Sequence, residues 1–205
     1  MVREAGARVV VFPELSLTGY ELGCPPVGVQ DPRLDSLRDA CRDTRALALA
    51  GAPVRTGAGR SIGVLAIWPD RVEVAYRKMW LWGDEMHEMV PGQAPAALSV
   101  DGWRLGLAVC RDTEMPEHAR LTAALGIDAY VAGVLERAGD DGVLARRAQR
   151  ITAAHSTWVI VASFAGPTGG GFDETAGGSA TWTPRGDLIG SVGPESGLVT
   201  HATLR

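Results

Sequence analysis

Short runs of apolar residues, separated by turn-forming residues, recur along the chain and predict mostly β-strands. β-Branched residues dominate the first run, and alternating apolar and polar positions mark two hairpins that turn at Pro69–Asp70 and Asp101–Gly102. Strands are predicted over residues 8–12, 51–56, 61–68, 71–76, 97–100, 103–109, 127–133, 158–164, 179–182, 188–191 and 198–202.

Apolar residues at helical spacing predict three helices between these strands, over Asp31–Ala50, Pro116–Leu125 and Asp140–Ala154. Residues 1–7 resemble the tail of a further helix. The basic side of the third helix is interpreted as a solvated face, and the glycine-rich stretch 166–178 as a flexible surface connection. Hairpins mixed with strand–helix–strand units predict a layered α/β protein, and 205 residues suit a single domain over 1–205.

Three of the apolar runs end at a residue that can take part in chemistry. Glu14 follows the first run directly after Pro13, Lys78 ends the second strand of the first hairpin, and Cys110 ends the second strand of the other hairpin. Taken singly, such a cysteine is more often a small core residue, and such a lysine is usually solvated. Strand ends are nevertheless where α/β sheets build sites, so a carboxylate, an ammonium and a thiol in this setting predict a shared site.

Composition narrows the range of function classes. The net charge is −4, without a basic stripe that would predict nucleic-acid binding, and no run of about 18 apolar residues predicts a membrane span. The first residues do not resemble a secretion signal. Cys24, Cys41 and Cys110 are an odd count without framework spacing, which is typical of a reduced intracellular protein, and no close Cys or His spacing predicts a zinc site. We therefore expect a cytoplasmic globular protein without metal.

Three segments, FPELSLTGY, YRKMWLWGDEMHEMVPG and CRDTEMPEHAR, follow one another in the order and spacing of the signature segments of the nitrilase, or carbon-nitrogen hydrolase, superfamily. Arg111–Asp112 after the cysteine is more similar to the amidase and carbamoylase branches than to true nitrilases. The resemblance implies a four-layer αββα sandwich, a homodimer or other homo-oligomer, and no cofactor. It also implies a small-molecule amide and water as the reactants.

The same resemblance implies roles for six residues. Cys110 would be the nucleophile that forms a thioester acyl-enzyme, Glu14 the proton carrier, and Lys78 with the backbone N–H of Arg111 the oxyanion stabiliser. Glu85 aligns with a second glutamate that positions the lysine or the substrate. Glu114 stands where many branches have arginine, which implies a substrate with a remote amine, such as an ω-amino amide. The resemblance thus implies catalytic roles for Glu14, Lys78 and Cys110, and substrate-binding roles for Glu85, Arg111 and Glu114.

Departures from the family pattern leave alternatives open. Family members carry another strand and most of a helix before Arg8, so the resemblance implies an N-terminally shortened sandwich, from a misassigned start, a fragment or a gap that a partner covers. Trp80, Ser61, Ser163 and Ile151–His155 differ from the usual residues. A catalytically impaired homologue that serves as a binding or assembly module is the first alternative. A glutaminase-type ammonia donor is the second, and a Cys/His pair remains possible from composition.

Overall fold

Ten strands form two sheets in the computed structural model, which describes residues 6–140 and 142–205. The strands are β1 Val9–Val11, β2 Leu47–Thr56, β3 Gly59–Ile67, β4 Val72–Arg77, β5 Ala97–Val100, β6 Trp103–Val109, β7 Ala129–Val134, β8 Trp158–Ser163, β9 Ala180–Trp182 and β10 Leu188–Ser191. The first sheet has the order β1-β2-β3-β4, and the second has the order β10-β9-β8-β7-β6-β5.

Four α-helices accompany the sheets, and short 3₁₀ helices precede two of them. The helices are α1 Asp35–Thr44, α2 Glu85–Glu88, α3 Pro116–Ala123 and α4 Val143–His155, with 3₁₀ helices at Pro32–Leu34 and Cys110–Glu114. Strands β6, β7 and β8 run parallel because α3 and α4 cross over between them, whereas β2–β4 are joined by tight antiparallel turns.

Alternating side chains divide the apolar residues among three cores. Leu47 and Leu49 of β2 face Leu107 and Val109 of β6 in the space between the two sheets. The intervening Ala48 and Ala50 face the opposite way, towards the α1 layer. On the outer side of the second sheet, strand residues pack against Ala119 of α3 and against Ala148 and Ile151 of α4. The layers are therefore helix, sheet, sheet, helix, which confirms the predicted αββα sandwich.

The structure corrects two of the predicted elements. The helix predicted over Asp31–Ala50 ends at Thr44, and residues from Leu47 onward open the long strand β2. The run LALA is buried on both faces, and such a run fits a buried strand as well as a helix. The strand predicted over Leu198–Ala202 is absent from the assigned strands, and residues 1–5 of the predicted N-terminal helix lie outside the described part.

No helix within residues 6–140 and 142–205 has both the length and the apolar character needed to cross a membrane.

Candidate active site

Glu14 lies in a turn between the two sheets, directly after β1. Leu15, the next residue, has φ of +49°, a left-handed conformation that side chains other than glycine rarely adopt. The turn is anchored to β2, because the Leu17 N–H donates to the Gly51 carbonyl oxygen at 3.0 Å. The Glu14 side chain is buried and faces a cavity between the strand ends.

Lys78 follows β4 and extends its side chain inward between two glutamates. Its Nζ lies 2.8 Å from Glu14 Oε1 and 2.7 Å from Glu85 Oε1, and all three side chains are 1% exposed. A buried ammonium is costly unless it is paired, and here two carboxylates supply the compensation. The structure thus brings the predicted carboxylate and ammonium into direct contact.

Glu85 begins α2, and both of its carboxylate oxygens are occupied. Oε2 accepts from the Trp82 backbone N–H at 3.0 Å, while Oε1 accepts from Lys78 and from the Tyr20 hydroxyl at 2.6 Å. The segment predicted as a loop therefore contains a short helix that directs Glu85 into the interior. Such an arrangement fixes the Lys78 ammonium in position from the side opposite Glu14.

Cys110 lies at the end of β6 and opens the 3₁₀ helix Cys110–Glu114. Its φ is +41°, so the nucleophile candidate occupies a strained turn, a conformation that clusters at functional sites. The thiol donates to the Leu135 carbonyl oxygen at 3.3 Å, and its Sγ lies 3.9 Å from Glu136 Oε1. The sulfur lies in the same cavity as Glu14, Lys78 and Glu85, which has a volume of about 190 Å³.

Beneath the site, the buried Asp112 joins the Lys78 loop to the Cys110 turn. Its carboxylate accepts from the backbone N–H groups of Met79 at 3.2 Å, Trp80 at 3.0 Å and Val109 at 2.9 Å, and from the Tyr76 hydroxyl at 2.7 Å. The network continues through His118, whose ring nitrogens lie 2.9 Å from the Tyr76 oxygen and 2.7 Å from the Tyr130 oxygen. Both Asp112 and His118 lie in the third signature segment, but no local pattern in the sequence predicts that they form a buried scaffold.

Burial sets the protonation of the three reactive groups. It raises the pKa of Glu14 to about 7, because desolvation and the nearby Glu85 outweigh the ammonium of Lys78. Burial alone would lower the pKa of Lys78, but the charges of Glu14, Cys110 and Glu85 outweigh it, so the pKa lies above its ordinary value. Burial and the Glu14 carboxylate raise the pKa of the Cys110 thiol. The resting pair is therefore a thiol beside a carboxyl group poised near neutrality.

The outer wall of the cavity is polar, and it includes residues that the sequence did not single out. Arg147 of α4 forms a short ion pair with Glu136, and its Nη2 lies 3.6 Å from Glu114 Oε1. Arg150 of the same helix donates to the Thr113 carbonyl oxygen at 2.5 Å. The solvated face predicted for this helix is therefore wrong at Arg147, whose side chain is 13% exposed, whereas Arg150 is exposed and contacts the turn after Cys110 through its guanidinium group.

Arg111 and Glu114, the predicted substrate-binding residues, both line the cavity but pair with each other. Arg111 Nη1 lies 3.4 Å from Glu114 Oε2, and the Glu114 side chain is 46% exposed. With Arg147 on its other oxygen, Glu114 is not the free carboxylate that the sequence led us to expect. Its charge is shared by two arginines, so it attracts a further cation less strongly.

The glycine-rich stretch 166–178 closes another side of the cavity and is not a free surface connection. Phe172 is buried, lines the cavity and contacts the Tyr20 ring at a centroid distance of 5.0 Å. The Thr168 hydroxyl accepts from the Tyr20 backbone N–H at 2.8 Å. The stretch therefore helps to hold Tyr20, which in turn contacts Glu85.

Within the described ranges, no group of three or more His, Cys, Asp and Glu side chains is placed to hold a metal ion.

A family model described as carbon-nitrogen hydrolase matches residues 1–204. The chain belongs to this family. Among solved structures, a mutant of the amidase from Nesterenkonia sp. AN1 carrying acrylamide at its active-site cysteine is 30% identical, with a TM-score of 0.83 over 99% of this chain and 82% of its own. Another structure of that amidase, with the acetamide moiety of fluoroacetamide on the active-site cysteine, has a TM-score of 0.82 at 29% identity, over 94% of this chain and 75% of its own.

Curated relatives of this carbon-nitrogen hydrolase include an (R)-stereoselective amidase from a Pseudomonas species, 33% identical over 128 residues, which are 60% of this chain and 46% of that protein. The chain thus spans about half the length of that relative. A hydrolase of Mycobacterium tuberculosis is 28% identical over 95% of this chain and 77% of its own length. These relationships confirm the nitrilase-superfamily fold and its amidase-like branch.

Proposed function

We propose that this chain hydrolyses the carbon–nitrogen bond of a small linear amide, giving a carboxylic acid and ammonia through a thioester on Cys110. The observation that carries the proposal is the buried Glu14–Lys78–Glu85 ion pairing in the same cavity as the Cys110 sulfur. Burying three charged groups destabilises a fold, and such groups beside a nucleophile are typical of catalytic sites.

In the first step the Cys110 sulfur attacks the amide carbon while its proton passes to Glu14. The pKa of Glu14 near 7 suits this role, because a proton carrier at neutral pH must both accept and release. Negative charge develops on the carbonyl oxygen and is stabilised by Lys78 and the backbone N–H of Arg111. Two of the three ammonium protons of Lys78 are directed to glutamates, and the third is left for the oxyanion.

In the second step Glu14 gives the proton to the amide nitrogen, the carbon–nitrogen bond breaks, and ammonia leaves. A water molecule then attacks the thioester carbon and delivers a proton to Glu14. The carbon–sulfur bond breaks, the acid departs, and the proton returns to Cys110. Glu85 acts as a positioning residue, because it contacts Lys78, Tyr20 and the Trp82 backbone N–H, leaving it no role in proton transfer.

A finer form of the proposal concerns a substrate with a remote amine, for which Glu114 is the residue to test. The Glu114→Gln variant would lower kcat/KM for 5-aminopentanamide relative to pentanamide if its carboxylate binds the amine. If the ratio of the two kcat/KM values is unchanged, Glu114 does not select the substrate. The pairing of Glu114 with Arg111 and Arg147 favours this second outcome.

The main proposal is tested by ammonia release and by intact mass. Wild type should release ammonia from propionamide, and it should gain one acetamide group from fluoroacetamide as the sulfur displaces fluoride. The Cys110→Ala variant should do neither. Cys24→Ala, at a half-buried cysteine outside the cavity, is the matched control and should behave as wild type. Ammonia release that survives in Cys110→Ala would overturn the proposal, and a folded wild type without release would favour a binding module.

A further inference from the structure

Glu136 follows β7 and places a further acid beside the nucleophile, in the cavity that Glu14 and Lys78 also line. Its Oε1 lies 3.9 Å from Cys110 Sγ, and the preceding residue, Leu135, accepts the thiol hydrogen bond through its carbonyl oxygen. The Glu136 side chain is 9% exposed and lines the cavity. An acyl group on the sulfur would therefore have this carboxylate as an immediate neighbour.

The two oxygens of Glu136 differ in their contacts. Both polar contacts that the carboxylate makes in the described part of the chain are made by Oε1, which accepts from Arg147 and lies near the Cys110 sulfur. In the same part of the chain, Ser163 Oγ is the one fully buried side-chain oxygen or nitrogen without a hydrogen-bond partner. Glu136 Oε2 has no such partner either, so it is not fully buried. An oxygen that is neither bonded nor sealed in protein must face open space, and the cavity is the space that Glu136 lines.

The other acids near the sulfur are committed elsewhere. Glu14 and Glu85 contact Lys78 through their Oε1 atoms, and Glu114 is half exposed between Arg111 and Arg147. The second oxygen of Glu14 also has no hydrogen bond to the described residues, but the proposed reaction uses Glu14 as the proton carrier, which leaves Glu136 as the acid beside Cys110 that is available to bind a ligand. A substrate methyl group against Glu136 Oε2 would remove water without replacing its hydrogen bond, whereas an N–H or O–H group would replace it.

We propose that Glu136 is a specificity-determining residue that accepts a hydrogen bond from an amino or hydroxyl group on the carbon next to the substrate carbonyl. The preferred substrates would be 2-amino and 2-hydroxy amides. The expected difference in kcat/KM rests on the proposed amide hydrolysis. The expected difference in binding affinity does not require turnover. Arg147 acts as a positioning residue, because it holds Oε1 and so orients Oε2 towards the cavity.

Three amides that differ by one group test the proposal at pH 8: 2-aminopropanamide, 2-hydroxypropanamide and 2-methylpropanamide. Wild type should show roughly tenfold or higher kcat/KM for the amino and hydroxy amides than for the methyl amide. In Glu136→Gln, the carboxamide oxygen must face Arg147, which only donates, so its NH₂ group replaces Oε2 towards the cavity. Measured relative to the methyl amide in the same protein, the variant should lose the preference for the ammonium of the amino amide most and retain part of that for the hydroxyl.

The matched control is Glu117→Gln, which should keep the wild-type order of the three amides because Glu117 is exposed, pairs with Arg120 and does not line the cavity. Binding to the Cys110→Ala protein, measured by calorimetry with and without Glu136→Gln, gives the same comparison without chemistry. Equal affinities, or an order that survives Glu136→Gln, would overturn the Glu136 proposal even if wild type hydrolyses all three amides. A Glu136-dependent order of binding in a protein that hydrolyses none would support it and instead overturn the proposed function.

Discussion

A side-chain carbon added to Gly133 of β7 would lie 3.1 Å from the backbone nitrogen of Glu14, and 2.6 Å from the carbonyl oxygen of Phe12. On the other sheet, a carbon added to Gly51 of β2 would press even closer on the backbone of Leu15. The turn that carries the proposed proton carrier is therefore held between two glycines, one from each sheet. Its position depends on how closely the sheets approach.

We expect Gly133→Ala to displace Glu14 and lower kcat/KM for propionamide by about 100-fold, because proton transfer is sensitive to small shifts in position. Overpacking of this kind should also cost about 1–3 kcal/mol of unfolding free energy. Kinetics and urea unfolding measure both effects. Gly57→Ala is the control, since no atom lies within 4 Å of the added carbon. Activity of Gly133→Ala equal to that of Gly57→Ala would contradict the prediction.

The pH dependence of kcat/KM should report Glu14, whose pKa lies at about 7. Glu14 must be ionised to accept the thiol proton, so activity should fall as the pH drops through 7. The charge of Glu85 helps to raise that pKa, so Glu85→Gln should move the acid limb to lower pH, by on the order of one unit. A limb that stays in place or moves to higher pH in the Glu85→Gln profile would show that another group titrates.

The unfolding free energy of the Lys78→Met variant should show how far the buried carboxylates depend on the ammonium. Without the ammonium, the buried Glu14 and Glu85 repel each other, and the loss should be about 3–5 kcal/mol at pH 8. The pKa of Glu14, already raised in the folded state by burial, then lies further above its unfolded value, so Glu14 stabilises the fold below the unfolded pKa, and this contribution is lost as the pH rises through the folded pKa. The destabilisation measured by urea unfolding should therefore be smaller at pH 5 than at pH 8.

Arg120→Met provides the comparison, because it removes an exposed ion pair with Glu117 and should leave the unfolding free energy almost unchanged. If Lys78→Met cost no more than this surface change at pH 8, the carboxylates would not depend on the ammonium.

Asp112→Asn should weaken the scaffold under the site. Asparagine directs an NH₂ group at donors that now contact a carboxylate, so we expect a loss of about 2–3 kcal/mol in unfolding free energy. Alkylation of Cys110 by fluoroacetamide should also slow, because Asp112 joins the Lys78 loop to the Cys110 turn. Tyr76→Phe removes one donor and keeps the three backbone contacts, and its effects should be smaller; the reverse order would argue that Tyr76 dominates the network.

The layered α/β class and the three reactive strand ends could be predicted from local patterns in the sequence, whereas the four-layer αββα arrangement was implied by the resemblance to the family. Pro13 ends the first strand just before Glu14, and alternation runs up to Lys78 and Cys110. Local pattern failed where two structures use the same pattern: the run LALA, predicted as the end of a helix, is the start of β2. The second sheet and α1 bury this run on both faces. That burial is a tertiary feature, and it decided that the run forms a strand and not a helix.

The sequence by itself determined which residues end the strands, since strand ends are set by neighbours along the chain. Tertiary structure alone decided that Lys78 meets Glu14 across 64 residues, that Arg147 neutralises both Glu114 and Glu136, and that Gly133 leaves room for the Glu14 turn. These relationships join side chains on different layers. Their distances follow from how the sheets and helices pack, and no period along the chain encodes that packing.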